Sequence, residues 1–126
     1  MNRKARIVLR RSSNPLRKQR WWWSLVEVES GLVILKSSEG YANKAEAVRM
    51  ARRVSRSGEN PGPRPAWYTF RSRSPLRSRR FHGVAVAAEN GNDLAITEGL
   101  ANRGHATKIL LDVLHGRYTV TEVFEP

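Results

Sequence analysis

The sequence predicts an α+β fold in which two tandem β-β-β-α repeats build one antiparallel sheet with two helices on one face, followed by a C-terminal strand. Three observations predict it. PLRKQRW at 15–21 recurs as PLRSRRF at 75–81, and SEGYANKAEA at 38–47 recurs as TEGLANRGHA at 97–106, at offsets of 60 and 59 residues. Self-similarity at a fixed period marks a duplicated supersecondary unit. Each copy carries short, strand-like runs and then a helical stripe, and a unit of that size has too little sheet to bury its own helix, so two units share a core. The 126 residues thus read as a single domain, with repeat one at 5–54, a linker at 55–65, repeat two at 66–114 and a terminal strand at 117–124.

The first strand, 5–11, alternates Ile7 and Leu9 with Arg6, Val8 and Arg10. A polar connection at 12–19 leads to a second strand at 20–29, rich in tryptophan and valine. Ser30 and Gly31 make the turn, glycine supplying the positive φ of a tight hairpin, and 32–38 is the third strand. Asn43 caps a helix and Glu46, three residues on, completes the capping-box pattern. Ala47, Met50, Ala51 and Val54 then fall on one helical face. Three prolines within 55–65 forbid the helix from continuing.

The second copy repeats the reading, with strands at 66–71, 80–88 and 94–98, a basic connection at 72–79 and a turn at 89–93. Asn102 caps its helix, whose apolar face is Ala106, Ile109, Leu110 and Val113, each 59 residues after its counterpart. A last strand at 118–124 has no obvious equivalent beyond the first strand of the second repeat.

Glu39-Gly40-Tyr41 and the capped helix that follows, with an aromatic-rich strand before them, resemble the YegP-like family of small bacterial proteins. The resemblance covers most of both repeats. It implies tandem β-β-β-α units, or dimers of single units, with the terminal strand swapped across to the partner unit. The second copy departs from the pattern with Leu100 in place of the tyrosine and one residue fewer before Glu98, and both basic connections are longer and richer in arginine. The family has no settled activity, so the resemblance speaks to fold and not to chemistry.

Charge is the informative bulk property. The chain carries 23 basic and 11 acidic side chains for a net charge of +12, and 20 of the basic ones fall in residues 1–80 beside only 5 acids. Arginine outnumbers lysine 18 to 5. Its planar fork suits phosphate and stacks on flat rings. Such a balance attracts polyanions. The absence of cysteine removes disulfides and thiolate chemistry. With no apolar run near the N-terminus long enough for a signal peptide or a span, a cytoplasmic protein with no membrane partner is expected.

Ten of the 23 basic residues cluster at the two connections: Arg10, Arg11, Arg17, Lys18 and Arg20 at the first, and Arg71, Arg73, Arg77, Arg79 and Arg80 at the second. Two positive prongs related by an approximate two-fold axis could straddle the phosphates of a duplex, or one could grip a strand while the sheet takes bases, so nucleic acid is the expected partner, duplex DNA favoured over RNA. Strand alternation adds a second element. Trp22, Ser24, Val26 and Val28 share one face, and Trp21, Trp23, Leu25 and Glu27 the other. The charge of Glu27 marks its row as the open side, so Trp21 and Trp23 are expected to be exposed for base stacking. The same surface suits a protein-interaction module, a small accessory or phage-type factor docking on an acidic host protein, or a homodimer formed through the open sheet face.

Enzymatic readings find no support in the residue pattern. His82, His105 and His115 lack metal-ligand spacing, and GENPGP at 58–63 lacks the GK[ST] and following helix of a phosphate loop. No serine sits in a nucleophile elbow. A non-enzymatic protein without cofactor or metal is expected.

Overall fold

The computed structural model describes residues 3–18, 20–73 and 80–126. Its elements follow the expected order: β1 (Arg3–Arg11), β2 (Trp21–Glu27), β3 (Val33–Ser37), α1 (Lys44–Ser55), β4 (Ala66–Arg71), β5 (Phe81–Val86), β6 (Asp93–Ile96), α2 (Arg103–Leu114) and β7 (Tyr118–Phe124). One seven-stranded sheet has the order β4-β5-β6-β3-β2-β1-β7. Every neighbouring pair is antiparallel except β1 and β7, which run parallel. The six strands before β7 form the antiparallel sheet that was expected, and the C-terminal strand adds to it in parallel. The chain leaves α2 in the second half and returns to cover the outer edge of β1 in the first.

Local chemistry explains the helices. The Asn43 side chain accepts from the Glu46 N–H at 2.9 Å, and Asn102 accepts from the His105 N–H at 2.7 Å, so each satisfies an N–H that the first turn leaves without an intrahelical acceptor. Ala47, Ala51 and Val54 of α1 and Ala106, Leu110 and Val113 of α2 are buried, as the stripe predicts. The two β-turns that follow β2 and β5 use Gly31 and Gly91 at φ of 72° and 73°, where a side chain would be strained.

Both helices lie on one face of the sheet. Beneath them Ile7, Leu9, Trp23, Leu25, Leu35, Ala85 and Ala95 join the helical stripe in one core. An ion pair between a buried arginine and an exposed glutamate ties the halves together: the Arg53 guanidinium of α1 donates from both Nη atoms to the Glu89 carboxylate at 2.7 Å each, and from Nε to the Pro63 carbonyl at 3.1 Å. That bidentate contact holds the Glu89 carboxyl down at about 2, a charged donor favouring the ionised form. Among the described residues no helix is long and apolar enough to cross a membrane.

Candidate nucleic-acid interface

The faces of β2 are opposite to those expected. Trp23 is 2 % exposed and Leu25 1 %, both under the helices, and Trp21 packs partly buried on the same side. Trp22, Ser24 and Val26 take the open face. Register is the physical reason: Leu9 lies opposite Trp23 and Ile7 opposite Leu25, so the apolar row of β1 and the larger row of β2 must share a side. Glu27 sits on that side too, but at the strand end, where Arg3 at 3.5 Å and the Ser30 hydroxyl at 2.8 Å reach it. A charge at the rim says little about the row behind it.

The two basic connections also lie apart. Strand directions alternate from β1 through β2, β3, β6 and β5 to β4, so the β1–β2 connection leaves one end of the sheet and the β4–β5 connection the other. The strand ends that flank them, Arg11 and Trp21 for the first and Arg71 and Phe81 for the second, stand at diagonally opposite corners. Two prongs gripping one duplex side by side are therefore not what the fold presents.

The predicted residues that the structure describes have definite places. Arg10 is exposed on the open face, directly opposite Trp22. Arg17 and Lys18 line a shallow depression with Trp22, Ser38, Glu39 and Gly40. Arg11 lies on the helix side, its guanidinium 5.7 Å from the Trp21 ring centre. Arg71 repeats that contact over Phe81 at 5.8 Å. Arg20 is partly buried and donates to the Ser12 carbonyl at 3.3 Å, so it serves the connection itself. Arg73 borders Phe70 at the far corner, and Arg80 is exposed beside Gly99. Arg77 and Arg79 lie outside the described residues.

Residues beyond those predicted join Trp22 and Arg10 on the open face. A second depression beside Trp22 is lined by Ser24, Lys36, Asp93 and Ile96, and a third by Arg6, Val8, Arg10, Val26, Val33 and Phe124. Lys36 is exposed and pairs across the sheet's centre with Ile96. Arg6 is engaged, 3.3 Å from Glu122 and 5.8 Å from the Phe124 ring centre. At the opposite end Phe70 stacks on His82, centres 5.1 Å apart and planes 16° apart, and the His82 Nδ1 lies 3.1 Å from the Thr97 carbonyl oxygen. His82 therefore belongs to the open face. Tyr68 completes this patch, donating to Asp93 at 3.3 Å; burial first, and then the Asp93 charge, raise its phenol. The signal that would have placed Trp22 was the alternation of β1, read together with the antiparallel register.

The open face thus carries an aromatic group near each basic corner. Trp22 faces Arg10 at one end and Phe70 faces His82 at the other, with Lys36 between. Such a surface offers flat rings for stacking and cations for phosphate.

Comparisons with known proteins bear on the fold alone. No protein-family model matches the chain, and no curated protein does. Among solved structures, the solution NMR structure of YegP from E. coli, a protein of unknown function, matches with a TM-score of 0.61 at 18% sequence identity, covering 99% of this chain and 97% of that one. The chain shares the YegP-like fold expected from Glu39-Gly40-Tyr41.

Proposed function

We propose that this protein binds nucleic acid without transforming it, laying a single strand across the open face of the sheet from one basic corner toward the other. The observation that carries the reading is Trp22: a large ring on the open face, opposite Arg10 and beside Arg17, Lys18 and Lys36. Unpaired bases have faces to offer such a ring, and a duplex does not. Diagonal corners suit a strand that runs between them better than a duplex held at one edge. Phosphate contacts from Arg10, Arg17, Lys18, Lys36, Arg73 and Arg80 would position the strand and read no sequence.

The proposal includes two tandem copies of one unit, and matched hydrogen bonds support that. Ser12 N–H donates to the Arg20 carbonyl at 2.7 Å and Ser72 N–H to the Arg80 carbonyl at 2.8 Å. Trp23 N–H donates to the Ser37 hydroxyl at 3.2 Å and Gly83 N–H to the Thr97 hydroxyl at 2.9 Å. Trp21 bridges to Tyr41 as Phe81 bridges to Leu100.

Fluorescence anisotropy with random single-stranded and duplex oligonucleotides tests the proposal. Affinity for single strands should exceed that for duplex and fall steeply with salt, because each neutralised phosphate releases counterion. Trp22→Ala should weaken single-strand binding by about 5- to 150-fold, the range that corresponds to one stacked base at about 1–3 kcal/mol. No binding at low salt removes the reading. If a protein partner is retained from lysate after nuclease treatment and nucleic acid does not bind, the surface serves docking on an acidic protein instead.

A further inference from the structure

β4 closes the sheet on the second half, and its outer edge is aromatic. Trp67, Tyr68 and Phe70 are 43, 42 and 37 % exposed. In the first half the corresponding edge of β1 is covered by β7, and Ile7, sixty residues before Trp67, is fully buried. Among the described residues no strand lies outside β4.

One hydrogen bond fixes where the main chain of β4 points. Ser72 N–H donates to the Arg80 carbonyl at 2.8 Å, continuing the register in which Arg71 faces Phe81 and Phe70 faces His82. Even-numbered residues of β4 therefore bond toward β5, and alternation turns the N–H and C=O of Trp67, Thr69 and Arg71 outward. β1 follows the same parity, its Ala5 carbonyl accepting from the Thr121 hydroxyl of β7 at 3.3 Å. A row of outward main-chain groups in an uncharged, proline-free run from Ala66 to Phe70 is a template for pairing.

We propose that this edge forms a homodimer, β4 pairing antiparallel with β4 of a second copy about a two-fold axis at Thr69. In that register Thr69 faces the partner's Thr69, and Trp67 faces the partner's Arg71. All of these have outward main-chain groups, so the contact closes about six hydrogen bonds. Centring the axis on Tyr68 instead would set Arg71 against Pro65, which has no N–H to give. On the open face Tyr68 meets the partner's Phe70 as a cross-strand aromatic pair. On the helix face Arg71, already over Phe81, reaches the partner's Trp67 indole. No like charges oppose one another. The other end of the sheet is less suited, since β7 and its tail carry Glu122, Glu125 and Pro126, and a β4-to-β7 contact would propagate without closing. The axis is perpendicular to the sheet, so both open faces lie on one side of the dimer. The inference is independent of nucleic-acid binding.

Light scattering on nucleic-acid-free protein over a concentration series, at an ionic strength where charges are screened beyond about 8 Å, tests it. The mass should rise from that of one chain to that of two. Thr69→Pro, which removes an N–H that the chain's own sheet does not use, should hold the mass at one chain with unchanged circular dichroism. Should that variant unfold, Trp67→Lys and Trp67→Glu carry the test. The lysine, opposite the partner's Arg71, should abolish the dimer, and the glutamate should keep it. A monomer up to the solubility limit, a dimer that survives a folded Thr69→Pro, or lysine and glutamate variants that behave alike would each overturn the proposal.

Discussion

The two halves of the molecule place different residues where a sheet strand passes under a helix, and the contrast shows two ways of filling that space. Trp23 in β2 and Gly83 in β5 both donate their N–H to a hydroxyl, that of Ser37 at the end of β3 and that of Thr97 just past β6, and both lie under a helix. In the first half the indole fills the space beneath α1. In the second the space is closed by α2 itself: a Cβ added at Gly83 would lie 3.2 Å from the Ala106 carbonyl oxygen and 3.2 Å from Leu110. The volume supplied by a side chain in one half is supplied by a helix main chain in the other. The edges differ in the same way, β1 being covered by β7 and β4 being bare.

The comparison can be broken most severely at Trp23. Trp23→Ala should cost about 3–5 kcal/mol, read as a lowered denaturant midpoint, because α1 cannot settle onto the sheet as α2 does. A loss similar to that of an exposed aromatic would mean that Trp23 is not a core residue. Gly83→Ala should cost less, about 1–3 kcal/mol, since one methyl must push α2 away from β5 or force Leu110 out of its rotamer. An unchanged midpoint would show that α2 has slack that the packing denies it. The smallest effect is expected at the tie between the halves, and it is a dependence on pH. Glu89, held at about 2 against an ordinary 4.5, contributes stability that is fully present above about 4.5 and is lost as pH falls toward 2. Arg53→Met should flatten that part of the acid-unfolding curve, monitored by circular dichroism. An unaltered acid limb would show that Glu89 does not depend on Arg53.

How far the sequence could be read depends on whether each feature is set locally. Asn43 and Asn102 stand three residues before the N–H groups they cap, and the stripes from Ala47 to Val54 and from Ala106 to Val113 are periodic within one helix. These emerged intact. Trp21, Trp22 and Trp23 are consecutive, and nothing within β2 says which of them faces the helices. Glu27 gave a local clue that pointed the wrong way, because a strand-end carboxylate can be satisfied at the rim by Arg3 and Ser30. The candidate site shifted accordingly: Arg10, Arg17 and Lys18 kept their place, Trp22 replaced its two neighbours, and Lys36 joined from the third strand, where nothing local marks it.

By itself the sequence determined the order of strands and helices, the caps, the turn glycines and the uneven charge, since each depends on residues within a few positions of one another or on composition. Only the tertiary structure decided which row of β2 is buried, that the basic connections stand at opposite corners, and that β7 runs parallel to β1. Those are properties of register and strand direction, set by pairs of residues far apart in the chain, and a single-residue slip in such a pairing exchanges the two faces of a strand.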